Sequence, residues 1–270
     1  MRSEARVSAE TAVDTADGVP VAIVTGSDSG IGKATAVQLA ADGFDVGVTW
    51  HRDEQGALAT ADEVRGHGRR AEARRLDLAQ LPAAADVIDE LAESLGGIDA
   101  LVNCAGTNRP APALELAYED WRHVLSVDLD GAFLCAQRAA RRMARQGRGG
   151  RIVSVTSVHE FTPLERGVAY TVAKHGLGGL TKQLAYELGP QAITVNSVAP
   201  GMVATPMTGL EDEDPTTIAK PRFPLGRPGD AREIASCIAW LCSEAAGWTT
   251  GASFVVDGGF MLVNPSALPG

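Results

Sequence analysis

One stretch of the sequence decides the fold: Val19-Pro20-Val21-Ala22-Ile23-Val24-Thr25-Gly26-Ser27-Asp28-Ser29-Gly30-Ile31-Gly32. Residues 19–25 form a short apolar run rich in β-branched side chains, which predicts a buried parallel strand. Glycines at 26, 30 and 32 allow a sharp turn and a close approach of the backbone to a pyrophosphate. Apolar residues at helical spacing follow from Ala34 to Ala41, so the turn opens a helix whose N-terminal N–H groups attract phosphate.

A second kind of phosphate-binding loop is excluded by spacing. Lys33 follows Gly32, as the lysine of a P-loop follows its last glycine. However, Gly26 lies one residue too far from Gly32, and Ala34 stands where a P-loop needs Ser or Thr to bind magnesium. The glycine turn therefore predicts a dinucleotide site.

Strand-like and helix-like segments alternate along the rest of the chain. The predicted strands are 19–25, 44–49, 74–76, 100–102, 151–156, 193–198 and 252–257. The predicted helices are 34–41, 57–65, 83–95, 121–145, 169–188 and 233–242. This alternation with short connections predicts an α/β fold of the Rossmann type: a doubly wound, mostly parallel sheet of seven strands with helices on both faces.

The domain organisation follows from the same pattern. We predict a flexible N-terminal tail over 1–18, a single dinucleotide-binding catalytic domain over 19–262, and a C-terminal tail over 263–270. The segment 205–229 breaks the alternation with five prolines and the acidic run 211–214. Irregular segments of this length are typically functional, so we expect a lid over the active site.

Composition narrows the partners and the location. The formal net charge is −10, from 34 acidic and 24 basic residues, which argues against nucleic acid or an anionic membrane as a partner. No apolar run reaches the roughly 18 residues that span a bilayer, and residues 1–17 lack the apolar segment of a signal peptide. The four cysteines show no metal-ligand spacing, so we expect no metal and a cytoplasmic location.

Two side chains four residues apart form a candidate acid–base pair. Tyr170 and Lys174 project from one face of the predicted helix 169–188. A free phenol ionises with a pKa of about 10, and an ammonium group one turn away favours the phenolate. Ser157 follows the end of a predicted strand, where the crevice of such a sheet forms, and its hydroxyl can donate a hydrogen bond to a reacting oxygen.

These strings together resemble a known family. Six strings match the family's motifs in order and spacing: Thr25-Gly-Ser-Asp-Ser-Gly-Ile-Gly32, Asn103-Cys-Ala-Gly106, Ser157, Tyr170-xxx-Lys174, Asn196 and Pro200-Gly201. Over nearly its whole length the chain resembles a short-chain dehydrogenase/reductase of the single-domain type. The resemblance implies an NAD(P)(H)-dependent oxidoreductase that interconverts a carbonyl and a secondary alcohol on a small-molecule substrate.

The resemblance also implies roles for individual residues. Tyr170 would exchange the proton with the substrate oxygen, Lys174 would hold the nicotinamide ribose and favour the phenolate, and Ser157 would polarise the carbonyl. Asp77 would meet the adenine, and residues 200–205 would hold the carboxamide. The candidate cofactor-binding residues are Gly26, Ser29, Gly30, Ile31, Gly32, His51, Arg52, Asp77, Leu78, Asn103, Ala105, Gly106, Tyr170, Lys174, Pro200, Gly201, Val203 and Thr205.

One position departs from the family pattern. Asp128 stands in the predicted helix 121–145 where the family usually has Asn, which kinks the helix and supports a proton relay to the lysine. If a backbone carbonyl does that work, Asp128 can substitute; if the amide is needed, the relay is weakened. We keep Asp128 among the candidate catalytic residues.

The cofactor preference is read from the end of the second strand. No acidic residue stands there to select NAD by its ribose, and His51 and Arg52 can face a 2′-phosphate. Two features favour NAD(H) instead. Ser29 stands in the glycine turn where NADP-dependent relatives often carry Arg, and the acidic Asp53 and Glu54 lie nearby in the sequence. NADP(H) is favoured, and NAD(H) stays open.

The substrate is indicated by His159 and Glu160, which follow Ser157 and are expected to contact substrate hydroxyls, or else to anchor the loop. The strings 156–160, 174–181 and 256–262 resemble an uncharacterised bacterial oxidoreductase branch and, less closely, glucose 1-dehydrogenases. Acetoin (diacetyl) reductases and 3-oxoacyl-[acyl-carrier-protein] reductases are read as more distant. A small hydroxylated keto compound or a sugar is therefore expected.

Assembly and competing functions complete the hypotheses. The apolar faces of helices 121–145 and 169–188 match those that pair subunits in the family, so a homotetramer is expected. A nucleotide-sensing binding module, an isomerase or dehydratase, and a 3-oxoacyl thioester reductase are alternatives on the same fold. The presence of Ser157, Tyr170 and Lys174 together favours an enzyme over a binding module.

Overall fold

All seven strands lie in one parallel sheet. The computed structural model describes residues 18–211, 213–221 and 223–263, so the predicted tails over 1–18 and 263–270 lie outside the described residues except for residues 18 and 263. The strand order is β3-β2-β1-β4-β5-β6-β7, which confirms the Rossmann-type fold. The strands are β1 (Val21–Val24), β2 (Asp45–Trp50), β3 (Ala71–Arg75), β4 (Ala100–Asn103), β5 (Gly150–Val155), β6 (Ile193–Pro200) and β7 (Ser253–Val256).

Helices cover both faces of the sheet because the strand side chains alternate. Ala22 and Val24 of β1 belong to one apolar cluster, while Ile23 belongs to the other. Helices α1, α2 and α7 pack on the first face, and α3, α5 and α6 pack on the second. The helices are α1 (Gly30–Ala41), α2 (Glu54–Gly66), α3 (Asp86–Leu95), α4 (Tyr118–Leu125), α5 (Gly131–Gln146), α6 (Val168–Leu188) and α7 (Ala231–Cys242).

Several predicted boundaries differ from the observed ones, and the third strand and the helix 121–145 are two of these cases. The third strand runs from Ala71 to Arg75 rather than over 74–76, because each of its residues pairs in register with one of β2 from Val46 to Trp50. The predicted helix 121–145 is two helices, α4 and α5, joined by a π-helical turn over Ser126–Asp130. This wide turn carries Asp128, whose carboxylate is buried against Lys174 of α6. Helical periodicity alone does not reveal such an insertion.

The segment after β6 forms an irregular flap beside the strand ends. A backbone bridge between Val203 and Gly229 joins its two ends. Short 3₁₀ turns lie at Pro206–Thr208 and Pro215–Thr217, while residues 212 and 222 lie outside the described residues. The turn at 206–208 is held by reciprocal bonds between Thr205 and Thr208. The predicted irregular segment 205–229 therefore has few regular elements, and its movement as a lid stays a prediction.

None of the helices in the described ranges combines the length and the apolar character that a bilayer crossing requires. Across the same residues, no three His, Cys, Asp or Glu side chains come together in a way that could hold a metal ion.

Candidate active site

A large cavity of about 840 Å³ runs along the carboxyl ends of the strands. Its volume is in the range of small-molecule and cofactor sites. The glycine turn, the ends of β3, β4, β5 and β6, α6 and residues 205–208 line it. All the predicted cofactor residues line this cavity except Asn103, and Ser157 and His159 line it as well.

The glycine turn is built for a close ligand. Gly26 adopts a φ of +61°, and a Cβ there would lie 2.8 Å from the Cα of Ala105. A Cβ on Gly32 would lie 2.1 Å from the carbonyl oxygen of Gly26, so only glycine lets α1 start this close to the turn. Ser29, which precedes α1, makes no side-chain cap. The first N–H groups of α1 are therefore available to a pyrophosphate, and the residues present fit a dinucleotide.

Hydroxyl groups that the sequence analysis did not select fix the turn between strands. Ser27 Oγ donates to the carbonyl of Val24 at 2.8 Å and accepts the N–H of Thr49 at 3.0 Å. Thr25 Oγ1 accepts the N–H groups of residues 104 and 105, both at 3.0 Å. Thr49 Oγ1 accepts the N–H of Gly26 at 3.0 Å. Thr25 and Ser27 stand inside the quoted motif, but only the sheet order brings them to β4 and β2.

Tyr170 and Lys174 lie on one face of α6, as their spacing predicts, and both are buried. The Lys174 ammonium lies 5.3 Å from the centre of the Tyr170 ring. It donates to the carbonyl of Val155, the last residue of β5, at 3.2 Å. Two residues further, Ser157 lies at the cavity wall, where its Oγ accepts the N–H of His159 at 3.2 Å. The Ser157 hydroxyl hydrogen stays free to point at a substrate oxygen.

Asp128 forms an ion pair with Lys174 behind the cavity wall. One carboxylate oxygen lies 3.2 Å from Lys174 Nζ, and the other accepts the N–H of Thr107 at 2.7 Å. Burial raises the pKa of Asp128, against the opposing attraction of Lys174. Burial alone would lower the pKa of Lys174, but the charge of Asp128 raises it above its ordinary value, so Lys174 stays an ammonium group.

The far end of the cavity carries the residues expected at the adenosine. His51, Arg52, Asp77 and Leu78 line it. His51 Nε2 lies 3.5 Å from an oxygen of Asp77. Arg52 forms no ion pair with any residue of the described ranges, so its charge is available to a ligand. Asp28 lines the same end, and burial raises the pKa of its carboxyl, as does the nearby Asp53.

Two of the predicted contact residues do not line the cavity. Asn103 does not line the cavity; it is buried behind the wall, and its side-chain N–H group donates to the carbonyl of Ala132 at 3.2 Å. Glu160 turns away from the cavity, and its carboxylate accepts the hydroxyl of Ser253 in β7 at 2.9 Å. It fills the space above Gly178, where an added Cβ would lie 2.3 Å from a Glu160 oxygen. Glu160 therefore anchors the loop to the sheet, the second of the two roles expected from the sequence.

His159, in contrast, lines the cavity beside the tyrosine. Its ring meets the Tyr170 ring edge-on, with centres 6.3 Å apart. Nδ1 lies 3.3 Å from the carbonyl oxygen of Thr162. Burial lowers the pKa of His159, although that carbonyl opposes the shift. A neutral imidazole is therefore the stable form near neutral pH.

Comparison with known proteins identifies the family. Residues 26–261 match a family model described as Enoyl-(Acyl carrier protein) reductase. Uncharacterized oxidoreductase YohF from Escherichia coli (strain K12) is 57% identical over 249 residues, which cover 92% of this chain and 98% of the relative. The chain belongs to the short-chain dehydrogenase/reductase family. It is an oxidoreductase that interconverts a carbonyl and a secondary alcohol with NAD(P)(H).

Two crystal structures with this fold carry names that bear on the substrate. Acetoin dehydrogenase YohF from Salmonella typhimurium superimposes with a TM-score of 0.88 at 54% identity, covering 93% of this chain and 99% of that one. Acetoin dehydrogenase from Enterobacter cloacae gives 0.88 at 56% identity, covering 94% and 100%. The sequence strings were read as closer to glucose 1-dehydrogenases than to acetoin reductases. The comparison reverses that order, because glucose 1-dehydrogenase 2 from Bacillus subtilis (strain 168) is only 34% identical to this chain.

The tight turn predicts a sharp effect of one methyl group. Gly32→Ala would push the Gly26 carbonyl away and open the turn, so we expect the affinity for NADPH to fall by at least about tenfold, roughly 1.4 kcal/mol. Fluorescence titration of NADPH measures this, with circular dichroism as a check of folding. Gly66→Ala, at the end of α2 with open space around it, is the matched control. Equal affinity of the Gly32→Ala and Gly66→Ala variants would contradict this account of the turn.

Proposed function

We propose that the enzyme acts on small ketones and secondary alcohols that carry a hydroxyl group beside the reacting carbon, as in acetoin and the corresponding vicinal diol. The observation that carries this proposal is the position of the His159 ring at the cavity wall next to Tyr170. Its position gives the substrate a second polar contact, beyond the one that every ketone or alcohol makes at its reacting oxygen.

The tautomer of His159 decides which substrate group it binds. A carbonyl oxygen only accepts hydrogen bonds, so the nitrogen facing Thr162, Nδ1, carries the hydrogen. In a neutral ring, Nε2 is then an acceptor. A hydroxyl beside the reacting carbon can donate to it, whereas the second carbonyl of a diketone cannot. A simple secondary alcohol has no second polar group to place there.

The chemistry of the reacting oxygen is assigned to three side chains. When bound, the nicotinamide supplies or accepts the hydride. In ketone reduction, Ser157 donates a hydrogen bond to the carbonyl oxygen, and Tyr170 transfers its phenolic proton to that oxygen. In alcohol oxidation, the Tyr170 phenolate takes the hydroxyl proton. Lys174 stabilises the phenolate. One of its three N–H groups is donated to the carbonyl of Val155, so beside its ion pair with Asp128 it keeps an N–H group to offer a ligand.

Several observations support this substrate class over the alternatives. The two solved relatives with 54% and 56% identity are named acetoin dehydrogenases. The matching family model is named for an acyl-carrier-protein reductase, which keeps a 3-oxoacyl thioester as the competing substrate. A nucleotide-sensing module would not need Ser157, Tyr170 and Lys174 at one wall, and an isomerase or dehydratase would produce no net change in NAD(P)H.

A substrate panel tests the proposal. With acetoin, the vicinal diol, diacetyl, butan-2-ol, sugars and acetoacetyl thioesters, we expect the hydroxyketone and the diol to give the highest kcat/KM. His159→Phe should lower kcat/KM for the diol about tenfold and leave butan-2-ol within about twofold, because only the diol loses a hydrogen bond.

Two controls accompany the panel. His175→Phe changes an exposed histidine of α6 that does not line the cavity, and we expect no change in selectivity. Tyr170→Phe should abolish turnover of every substrate. Activity confined to thioesters would refute the substrate class, and unimpaired turnover by Tyr170→Phe would refute the mechanism itself.

We also propose NADP(H) as the preferred cofactor. Arg52 lies at the adenosine end of the cavity without an ion pair to any described residue, so a 2′-phosphate would give it a partner. His51 lies on the same wall. Asp28 is the opposing charge, but burial raises its pKa and so favours the neutral form beside an anion.

The cofactor proposal is tested by the ratio of kcat/KM for NADP to that for NAD. We expect a ratio above one, and Arg52→Ala should lower it by about tenfold, since a charged hydrogen bond to phosphate contributes about 1.5–3 kcal/mol. Arg145→Ala, an exposed charge of α5 outside the cavity, should leave the ratio unchanged. Equal or better use of NAD by the unaltered enzyme overturns the preference.

We also propose that the enzyme assembles into a homotetramer in the cytoplasm. Exposed apolar side chains on α5 and α6, namely Phe133, Val172 and Tyr186, offer surface for subunit contacts. The four cysteines are all unpaired, as is usual in a reducing compartment. One chain has a mass of 28.1 kDa, and light scattering coupled to size exclusion should give four times that mass. A monomer mass would remove the proposal.

A further inference from the structure

The buried pair of Asp128 and Lys174 gives the acid–base site a charge that an amide at position 128 would not give. Both side chains are almost fully inaccessible, with Asp128 at 1% and Lys174 at 4% exposure. Their charged atoms are 3.2 Å apart, and the ammonium is 5.3 Å from the centre of the Tyr170 ring. Both charges therefore lie close to the phenol that exchanges the proton.

We propose that Asp128 is a positioning residue that holds a permanent negative counter-charge against Lys174 and thereby sets the pH at which Tyr170 ionises. The inference rests on the proposed role of Tyr170 in proton transfer. It does not depend on which ketone or alcohol is the substrate.

Burial raises the pKa of Asp128, and the Lys174 ammonium and the Thr107 N–H oppose that shift by favouring the anionic carboxylate. Thr107 donates its N–H to Oδ1 at 2.7 Å, the short distance typical of a charge-assisted bond. Oδ2 lies 3.2 Å from the Lys174 ammonium in an ion pair and has no hydrogen-bond partner among the described residues. A proton on Oδ2 would thus point at a group that only donates. Gly106 packs against this oxygen, since a Cβ there would lie 3.2 Å from it.

Other titratable groups around the pair do not replace this charge. Cys104, at the end of β4, faces Lys174, but burial raises its pKa to about 12, so it is neutral. His159 faces Tyr170 from the short turn after β5 and is neutral near pH 7. His123 of α4 faces Asp128, and Asp28 faces Cys104 from the glycine turn, one element further away.

The counter-charge has a definite effect on the phenol. The ammonium favours the Tyr170 phenolate, and the carboxylate disfavours it, so removing the carboxylate makes the phenolate easier to form. For a unit charge at several ångströms in a protein interior of effective dielectric about 20, the expected shift is about one pH unit. We expect Asp128→Asn to move the tyrosinate midpoint to lower pH by about that amount.

The direct measurement is the ultraviolet absorbance of tyrosinate in the enzyme without substrate. The chain has three tyrosines, and the other two, Tyr118 and Tyr186, are exposed on the surface. Replacing both by Phe leaves Tyr170 as the single reporter. In that background, Asp128→Asn should lower the titration midpoint by about one unit. Asp128→Ser, which keeps an acceptor for the Thr107 N–H, should lower it similarly and provides a second neutral variant if the first folds poorly.

Asp130→Asn is the matched control for charge. Asp130 lies on the same π-helical turn, its side chain is about half exposed, and its carboxylate is 3.7 Å from Arg122. It should not move the midpoint. The same shifts should appear in the pH profiles of kcat/KM, where alcohol oxidation begins at lower pH and ketone reduction declines at lower pH, while the rate at each optimum stays within about tenfold.

Two results would overturn the inference. An unchanged midpoint in both folded Asp128 variants would mean that Asp128 is already neutral in the enzyme. An equal shift in Asp130→Asn would mean that overall charge, and not the buried pair, is responsible. A failure of the acetoin panel would leave the tyrosinate titration unaffected, so the two proposals fail separately.

Discussion

The site depends on keeping an ammonium group out of water at the carboxyl edge of the sheet. Lys174 is buried, which is costly for a charge unless it is paired and hydrogen-bonded. The carbonyl of Val155 and the carboxylate of Asp128 supply those partners. β5, the π-helical turn and α6 must therefore stay in one arrangement, and the same arrangement sets Tyr170 at the cavity wall. Breaking the pair by removing one partner would leave an uncompensated charge in the interior.

The two ends of the cavity suit different ligand groups: one end suits a pyrophosphate, and the other suits the reacting oxygen of a substrate. At the glycine turn, backbone N–H groups and the absence of side chains make room for a pyrophosphate, and hydroxyls such as that of Ser27 hold the turn to its neighbouring strands. At the other end, charged and polar side chains act on one oxygen atom. Both ends lie at the carboxyl edge because parallel strands all finish there, which is why residues distant in sequence form one cavity.

Much of the fold and part of the site could be predicted from local patterns. Alternating apolar segments predicted all seven strands and the order of helices, and the four-residue spacing of Tyr170 and Lys174 predicted a shared helix face. Boundaries failed where pairing or side-chain burial intervened: β3 extends to match the register of β2, and the π-helical turn forms around Asp128. Glu160 could not be assigned from its neighbours, because its partner is Ser253, 93 residues away.

The sequence alone determined the features that depend on local and periodic patterns. These are the strand–turn–helix at the glycines, the class of the sheet, and the placement of the Tyr170 phenol and the Lys174 ammonium on one helix. These follow from dihedral preferences and side-chain period, which act over a few residues. The tertiary structure alone decided that Asp128 faces Lys174, that His159 faces the cavity and that Glu160 does not. Each of these depends on which distant element fills the space beside the side chain, and that is settled only when the helices pack on the sheet.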